Sequence, residues 1–535
     1  MVLDILIKNG TLVDGTGSPR RVATVAIKDG KLVLDGSLDQ ALSARTIDAT
    51  GLIVAPGFID MHSHSDTTML EDPGGESKAH QGVTTEVTGN CAYSPFPVSK
   101  NSDYAAIQRM TRPFWKPEWD WTDLDGWAEA QHSTGISLNI APQVGQGAIR
   151  KAVGLNDNRS PTEDEMREMR MLAAEAMEQG AFALSTGLTV APSSYATTDE
   201  LVELVEAISP YDGAFYVSHS RLWANEHVKA VEECVEIGRR AGVPSQYSHM
   251  AIVDSRNFGD GPSMVGVIDR ARQEGLDVTY DMYPYTAAGS GLIQLMPEWL
   301  QEGGVPSMLQ RLRDPQLRQK ARVDLEKYGW FRGLPFVWDS LVLSEISTDA
   351  NQGLVGLSIA EVAKLRKADP YDTMLDLMDE EDNRVAIVMH NRTESDIRFF
   401  LGHEAAMIGS DGNAISPTGR QSIDKPHPRF YGTYPRILGR YVREQPSVLS
   451  LEAAVRKMTG MPAERLKLKD RGLISDGLMA DLVLFDPETV IDQATFEEPH
   501  QYPLGIPYVF VNGVAVVDGG VHTGARPGGV LRRGR

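Results

Sequence analysis

The stretch GLIVAPGFIDMHSHSD, residues 51–66, is an apolar run that ends in two histidines separated by a single residue. Side chains alternate faces along an extended strand, so His62 and His64 point the same way from the end of that strand. Two imidazoles held side by side can bind a metal ion. They can equally be ordinary polar residues at a strand end, and this stretch alone leaves both interpretations open.

Seven further segments share this form, a short apolar strand that runs into a loop, and helical segments lie between several of them. The eight predicted strands are FIDMH (58–62), TTEVTGNC (84–91), SLNIAPQVG (137–145), AFALSTGL (181–188), AFYVSHS (214–220), PSQYSHM (244–250), DVTYDMYPY (277–285) and AMIGSDG (406–412). Eight apolar strands alternating with helices predict an α/β fold, the (β/α)8 or TIM barrel. In that fold the chemistry lies at the C-terminal ends of the strands.

The two ends of the chain have a different texture, with short alternating strands and turns such as VATVAIKDG and KLVLDG near the start and YVFVNGVAVVDGG near the end. Each end is too short for a core of its own, so we expect residues 1–56 and 470–535 to form one small β-sandwich domain. The catalytic barrel then spans 57–469. Residues 287–383 interrupt the alternation of strands and helices. They predict a long insertion after strand 7, a lid over the active site.

Composition excludes several classes of function. The 535 residues include 52 basic and 73 acidic ones, a net charge of −21, which argues against binding to a nucleic-acid backbone. The two cysteines, Cys91 and Cys234, provide no disulfide framework and fit a reducing compartment. No segment reaches the ~20 apolar residues of a membrane span, and the N-terminus lacks a secretory signal pattern. We therefore expect a cytoplasmic protein without a membrane partner.

Four more potential metal ligands fall at predicted strand ends: Cys91 after the second strand, His219 on the fifth, His249 on the sixth and Asp411 on the eighth. Each alone has a plain explanation, because a lone cysteine is usually a small buried apolar residue and an aspartate before glycine usually forms a turn. Six candidates at the ends of five strands together predict a metal site. Imidazole and thiolate ligands favour Zn²⁺ over Mg²⁺ or Ca²⁺.

Chain order and local sequence resemble the amidohydrolase superfamily, and within it the N-acyl-D-amino-acid deacylase (D-aminoacylase) family. The resemblance covers nearly the whole chain and is weakest in the insertion; it rests on PGFIDMHSHSD, QGVTTEVTGNCAYSPFP, FYVSHSR, EIGRRAGVPSQYSHM, MIGSDG, HPRFYGTYPRILGRYVRE and DRGLISDGLMADLVLFDPETVIDQATFEEPHQYP. Many superfamily members hold two metals with a carboxylated lysine on strand 4. The fourth strand here contains no lysine, and Cys91 matches the deacylase variant instead.

The resemblance implies roles for the candidate ligands. It divides them into a tight zinc site of Cys91, His219 and His249, and a second, weaker metal position shaped by His62, His64 and Asp411. Amide hydrolysis needs an activated water, a polarised carbonyl and a protonated leaving amine, and zinc can supply the first two. Asp411 suits the third, since its carboxylate can take a proton during attack and return it to the departing nitrogen.

The same resemblance nominates Tyr195, Tyr283, Ser290 and Arg429 as ligands of the substrate carboxylate. Each tyrosine can instead be a packed aromatic with a satisfied hydroxyl. The family tends to place a lysine two residues after the strand-6 histidine, but this chain has Ala251 there. Either Arg429 therefore binds the carboxylate alone, or the substrate has no carboxylate at that point.

The function implied is zinc-dependent cleavage of the amide bond of a small molecule, an N-acyl-D-amino acid or a similar N-acyl amine, by metal-activated water. The alternatives are a related amidohydrolase acting on a cyclic imide, lactam, arylamide or urea, and a non-catalytic scaffold of the dihydropyrimidinase-like kind. The oligomeric state stays open, with a homo-oligomer among the options. Two further histidines, His390 and His427, are placed on loops near the site without a role. No role in the chemistry is assigned to His80, His132, His227, His403, His500 or His522.

Overall fold

A computed structural model describes residues 2–34, 38, 41–110, 115–116, 118–221, 224–331 and 333–534. Its strands are β1 (Leu3–Leu12), β2 (Arg21–Lys28), β3 (Lys31–Val33), β4 (Ser43–Asp48), β5 (Ile53–Pro56), β6 (Phe58–Asp60), β7 (Val83–Thr88), β8 (Asn139–Pro142), β9 (Val144–Gly145), β10 (Ala183–Gly187), β11 (Phe215–His219), β12 (Ser245–Tyr247), β13 (Val278–Met282), β14 (Ala288–Gly291), β15 (Leu341–Ile346), β16 (Val385–Met389), β17 (Ala406–Ile408), β18 (Leu482–Phe485), β19 (Tyr508–Val511), β20 (Val514–Asp518) and β21 (Val521–His522).

The α-helices are α1 (Thr68–Glu71), α2 (Glu76–Ala79), α3 (Ser102–Met110), α4 (Leu124–Thr134), α5 (Gln146–Ala152), α6 (Glu163–Glu178), α7 (Thr198–Glu206), α8 (His227–Ala241), α9 (Gly261–Gln273), α10 (Glu298–Gln301), α11 (Val305–Arg313), α12 (Pro315–Tyr328), α13 (Ile359–Arg366), α14 (Pro370–Glu380), α15 (Glu394–Gly402), α16 (Arg429–Arg436), α17 (Leu451–Met458) and α18 (Gly460–Arg465). None of these described helices has both the length and the apolar character that crossing a membrane requires.

Parallel strands form the barrel, in the order β6-β7-β8 and then β9-β10-β11-β12-β13-β17. Strands β8 and β9 are parts of one run interrupted at Gln143, so the barrel has eight strands, and all eight are buried. The first and last strands meet, because the Met61 amide donates to the Ile408 carbonyl at 3.1 Å and the His64 amide to the Gly412 carbonyl at 3.1 Å. The predicted (β/α)8 barrel is thereby confirmed.

Local sequence explains where the barrel helices begin and end. Thr162 forms a capping box with Glu165 at the start of α6. Gly242 takes a left-handed conformation, φ 72°, immediately after α8, which a residue without a Cβ adopts at little cost. The apolar faces of these helices pack on the strands in one large core cluster.

The two ends of the chain share one nine-stranded sheet, in the order β21-β20-β19-β18-β5-β1-β2-β3, with β4 paired to β1. The connection is direct, since β18 near the C-terminus runs antiparallel to β5 near the N-terminus, with Val483 opposite Ala55. Part of the predicted strand KLVLDG, at Asp35 and Gly36, lies outside the described residues. The sequence range assigned to this domain stays a prediction.

The segment between β13 and β17 contains a second small unit, an antiparallel sheet in the order β14-β16-β15 packed with helices α10 to α14. It has its own apolar cluster, which includes Leu343, Ile387 and Met374. Strand β16 lies beyond residue 383, where the sequence placed the end of the insertion. This unit covers the C-terminal end of the barrel on one side and contributes to the cavity described below.

Candidate metal centre and active site

Cys91, His219 and His249 come together at the C-terminal end of the barrel. Their potential ligand atoms lie within 4.8 Å of one another, and all three residues are buried. Sγ of Cys91 is 3.6 Å from Nε2 of His249, and Nδ1 of His219 is 2.8 Å from that same nitrogen. One thiolate and two imidazoles that converge in this way fit a zinc ion, which binds both types of ligand.

The backbone at these positions takes conformations that side chains rarely adopt. Cys91, His249 and Asp411 have positive φ values of 55°, 37° and 53°. Residues held in the left-handed region concentrate at functional sites, where the surrounding structure over-determines them. The loop that carries Cys91 is pressed onto β10, and a Cβ at Gly187 would collide with the Cys91 carbonyl oxygen. Glycine at the end of β10 therefore lets the cysteine approach the histidines.

Polar neighbours fix the orientation of the histidine rings. Nε2 of His219 lies 2.8 Å from Oγ1 of Thr189, which leaves Nδ1 to face His249. Asp281, on β13, accepts a hydrogen bond from the His249 amide at 2.8 Å, and the same carboxylate oxygen lies 3.1 Å from Nδ1 of His62. Carboxylates and hydroxyls behind metal-binding histidines typically set the ring orientation and the ligand basicity.

A second group of candidate ligands adjoins the first. His62, His64 and Cys91 also place one ligand atom each within 4.8 Å of one another, and Nε2 of His62 lies 3.2 Å from Sγ of Cys91. Oδ1 of Asp411 is 3.0 Å from Nε2 of His64 and 3.6 Å from Nε2 of His62. The structure thus brings together all six residues that the sequence nominated as metal ligands, with Cys91 between the two groups.

The site is rich in negative charge. Burial disfavours the thiolate, but the neighbouring His62 and His219 hold the pKa of Cys91 well below its usual range. Burial likewise opposes charge on His64, yet the hydrogen bonds to Asp411 and Cys91 raise its pKa to about 9. Anionic groups that raise the pKa of His64 also attract a cation, and a bound metal ion displaces such a proton. Burial lowers the pKa of His249, which favours the neutral ring that binds a metal.

Asp411 is held by a cation on the side away from the histidines. Its Oδ2 atom lies 2.9 Å from Nη1 of Arg429, while Oδ1 faces His64. Burial alone would raise the pKa of Asp411, but Arg429 and the hydrogen bond from His64 hold it well below its usual range. The Asp411 carboxylate is therefore ionised, with one oxygen fixed by Arg429 and the other directed at the ligand cluster.

A buried ion cluster joins β6 to the loop after β17. Nζ of Lys78 lies 2.7 Å from Oδ2 of Asp60 and 3.1 Å from Oε1 of Glu86, and all three side chains are fully buried. The other oxygen of Asp60 accepts from the Ser410 amide at 2.8 Å and from the His62 amide at 3.2 Å. Through Asp60, the cluster fixes the backbone of His62 relative to that of Ser410, which precedes Asp411. Removing the charge of Lys78 would leave two buried carboxylates without a cation.

A cavity of about 550 Å³ opens in front of the ligands. Its lining includes the ligands His64, Cys91, His219, His249 and Asp411, and three of the four predicted substrate-binding residues, Tyr283, Ser290 and Arg429. The insertion supplies much of the opposite wall, including Ile293, Trp330 and Glu345. A cavity of this size, with polar groups gathered at one side, suits a small-molecule substrate.

Tyr195 is the predicted substrate-binding residue that the structure does not bring to this cavity. A short 3₁₀ turn after β10, Ser193–Tyr195, carries it, and its hydroxyl donates to the Glu298 carbonyl at 2.9 Å. It lines a separate cavity beside Arg221 and Glu233 instead. Its position matches the alternative interpretation of this tyrosine, a packed aromatic side chain whose hydroxyl has a hydrogen-bond partner.

The two loop histidines differ. His427 lines the main cavity, with Nε2 3.0 Å from the Ala287 carbonyl and Nδ1 accepting from the Arg429 amide at 3.0 Å. His390 is exposed and packs edge-on against Phe496, with ring centroids 4.7 Å apart. His427 therefore helps to position Arg429, and His390 lies outside the lining.

Several residues of the site have no role predicted from the sequence. Asp60 and Asp281 stand in the middle of predicted apolar strands, and a charged residue within a buried strand is a signal that could have identified them. Arg392 also lines the cavity, yet it follows β16, just beyond the predicted insertion, where no sequence pattern marked it. Glu345 lines the same wall, and it is a charged residue on the short strand β15 of the insertion sheet.

A cysteine and histidine cluster at the C-terminal end of a (β/α)8 barrel defines a class, the metal-dependent hydrolases. The profile of the amidohydrolase family matches residues 45–192 and 349–517. A D-aminoacylase from Alcaligenes xylosoxydans xylosoxydans is 33% identical over 530 residues, which cover 99% of this chain and 98% of the relative. The chain therefore belongs to the amidohydrolase family, and the resemblance to the N-acyl-D-amino-acid deacylases is confirmed.

Solved structures agree with this assignment. An N-acyl-D-glutamate deacylase from Bordetella bronchiseptica, complexed with zinc and a phosphonate inhibitor that mimics the tetrahedral intermediate, matches with a TM-score of 0.81 and 30% identity, covering 99% of this chain and 100% of that one. A D-aminoacylase whose binuclear metal centre has been studied matches with a TM-score of 0.81 and 32% identity, with the same coverage of 99% and 100%.

Proposed function

We propose that this protein is a zinc-dependent amidohydrolase that removes the acyl group from N-acyl-D-amino acids. The observation that carries the proposal is the buried cluster of Cys91, His219 and His249 beside an ionised Asp411 at the cavity. The relatives named D-aminoacylase and N-acyl-D-glutamate deacylase support the reaction class and the D configuration of the substrate. All six candidate ligands are present and convergent, which argues against a non-catalytic scaffold.

Cys91, His219 and His249 would hold the zinc ion, because they offer a thiolate and two imidazoles whose ligand atoms lie within 4.8 Å of one another. When bound, zinc supplies a Lewis acid that polarises the amide carbonyl and activates water at neutral pH. His62, His64 and Asp411 would shape a second, weaker position. The binuclear centre described for the similar D-aminoacylase supports this second position.

Asp411 would move the proton. Its Oδ2 is fixed by Arg429 at 2.9 Å, so Oδ1 is the oxygen available on the side of the ligand cluster. That oxygen would accept a proton from the attacking water and deliver it to the departing amine nitrogen, the step that general acid and base catalysis requires. Because both transfers use one carboxylate, loss of the negative charge at residue 411 should block attack and departure together.

The amino-acid end of the substrate would lie against Tyr283, Ser290 and Arg429. These residues line the cavity on the side of Asp411, and Ser290 stands on β14 at the edge of the insertion sheet. Arg429 is almost completely buried, and a buried guanidinium forms strong, directional hydrogen bonds with a carboxylate. This placement would hold the scissile amide between the carboxylate contacts and the metal ligands.

We further propose that the insertion, residues 287–383 in the predicted division of the chain, acts as a lid. Ile293, Trp330 and Glu345 line the wall of the cavity opposite the metal ligands, and none of the six candidate ligands lies in this segment. Its apolar core is distinct from the main barrel core and reaches the barrel loops through a few residues such as Ala224, Ala251 and Val253. The lid would therefore control substrate range while the barrel holds the metal.

One observation favours a second candidate function, hydrolysis of an amide without a carboxylate. Ala251 is buried in the apolar cluster that also contains Val253 and Ala288, so the position two residues after His249 offers no cation. A lactam, cyclic imide, arylamide or urea would suit such a surface. The two functions differ in whether the substrate must be an anion.

A release assay distinguishes these functions. Purified protein with zinc is incubated with paired N-acetyl-D and N-acetyl-L amino acids, with arylamides and with cyclic imides, and free amine or ring-opened product is measured. The proposal predicts release from the D amino acids and at least tenfold slower release from their L partners. Turnover confined to uncharged amides would support the second candidate, and a protein without bound zinc and without turnover would support a scaffold.

A further inference from the structure

Two arginines from different parts of the fold meet at one tyrosine in the cavity. The guanidinium carbon of Arg392, in the loop after β16, lies 4.4 Å from the centroid of the Tyr283 ring. That of Arg429, at the start of α16, lies 4.5 Å from the same centroid. Both arginines line the cavity. Like charges so close together raise each other's energy unless an anion lies between or beside them.

The charges of the two arginines are balanced differently. Arg429 is paired with Asp411 at 2.9 Å. Within the described part of the chain, Arg392 has no salt bridge to a carboxylate; its partner is Tyr283, and its Nε atom is buried without a hydrogen bond. Burial first, and Arg429 in addition, lower the pKa of Arg392, although a guanidinium remains charged in proteins. Asp411 favours the charge of Arg392 through space, but no carboxylate of the described residues contacts the guanidinium and its Nε is left without a hydrogen bond, so an anionic ligand would complete it.

The residue before Arg392 adds further unused hydrogen-bonding capacity. The amide nitrogen and oxygen of Asn391 are both buried without hydrogen-bond partners, and Asn391 lines the cavity. The backbone of this loop is held in place, since the Arg392 amide donates to the Thr286 carbonyl at 3.1 Å. The loop therefore presents two adjacent groups that can donate to an anion.

We propose that Arg392 binds the carboxylate of the substrate, together with Arg429 and the Tyr283 hydroxyl, and so sets the preference for anionic amides. The inference rests on the proposed deacylase function and assigns its specificity to a residue in the loop after β16. It supplies a cation that position 251, an alanine in an apolar cluster, does not. A carboxylate would receive charge-assisted hydrogen bonds from a planar guanidinium, which a lysine reproduces only in part.

The test compares an anionic substrate with its neutral counterpart. N-acetyl-D-leucine and N-acetyl-D-leucinamide carry the same scissile amide and differ in the carboxylate. For Arg392→Gln we expect the KM of the acid to rise roughly 10- to 100-fold, the KM of the leucinamide to stay within about twofold, and kcat to change less than KM. Arg392→Lys should restore part of the affinity for the acid. Arg384→Gln, at an exposed arginine just before the same strand, should match the wild type.

Equal increases of KM for the acid and the amide would overturn the inference, because they would indicate a structural role. Unchanged KM for the acid in Arg392→Gln would overturn it as well. Binding of N-acetyl-D-leucine to the zinc-loaded protein, measured by titration calorimetry, separates this inference from the proposed function. Wild-type binding that weakens in Arg392→Gln, without hydrolysis of either compound, would refute the deacylase and retain the anion site. No binding to the wild type would refute the anion site.

Discussion

The two walls of the cavity are built in different ways. The metal-ligand wall comes from the barrel, whose parallel strands all end at the same face, so Cys91, His219 and Asp411 meet although they are far apart in sequence. The insertion wall comes from an antiparallel sheet in which β14 and β15 flank β16, and its lining residues are set by local packing. Topology therefore brings the candidate metal ligands together, whereas local packing positions the side chains of the insertion wall.

The two walls also differ in how their charges are compensated. On the barrel side, charged groups are paired with each other, as in the contact between Asp411 and Arg429 at 2.9 Å and that between Lys78 and Asp60 at 2.7 Å. On the insertion side, Glu345 faces the cavity beside Asp424, another carboxylate. Substitutions on the barrel wall should therefore change metal content or turnover, and substitutions on the insertion wall should change affinity and pH-dependent stability.

The largest expected effect belongs to Cys91→Ala. Removing the thiolate leaves two imidazoles for the tight position, so we expect zinc content to fall to a small fraction and turnover to reach the detection limit. Cys234→Ala is the matched control, because Cys234 is equally buried but packs in α8 away from the cavity. Metal analysis and the release assay check both variants. Full zinc content in Cys91→Ala would contradict the assignment of Cys91, on the barrel wall, as a metal ligand.

Asp411→Asn should have the next largest effect. The amide keeps the size of the side chain but cannot accept the proton, so turnover should fall by roughly 10²–10⁴-fold. Cys91, His219 and His249 remain, and zinc should stay at the wild-type level. Kinetics and metal analysis on the same preparation test both statements. A variant with near wild-type turnover would place the base elsewhere, and one without zinc would make Asp411 primarily a ligand.

The contrast between the two walls also explains which features of the fold and the site can be predicted from the sequence. The eight strands, the barrel and the meeting of six candidate ligands could be predicted, because strand periodicity fixes which side chains leave the C-terminal ends. Tyr195 was nominated from a match at a loop, but a 3₁₀ turn carries it to another cavity. Arg392 could not be predicted, because its place in the site depends on a contact with Tyr283, more than 100 residues earlier. No periodicity in the sequence encodes that contact.

The smallest expected effect concerns Glu345 on the insertion wall. Burial, with a contribution from Asp424, raises the pKa of Glu345 to about 7, while Arg420 and Gln421 oppose this shift only in part. A carboxyl with a raised pKa in the folded state stabilises fully below its unfolded value, near 4.5, and that contribution is lost as pH rises through about 7. Glu345→Gln mimics the protonated form at every pH. It should melt like the wild type at pH 4.5 and about 1–2 °C higher at pH 8.

Glu381→Gln, in the same insertion, provides a control of opposite sign. Burial alone would raise the pKa of Glu381, but hydrogen bonds from Thr348, Asn351 and Ser347 lower it. Its contribution is present above the unfolded value and is lost as pH falls, so the variant should melt below the wild type at pH 8. Thermal melts of both variants between pH 4.5 and 8, with zinc content measured in parallel, test the pair. Equal shifts at both pH values would show that packing decides the stability, and loss of zinc in either variant would show that the insertion wall supports the metal site directly.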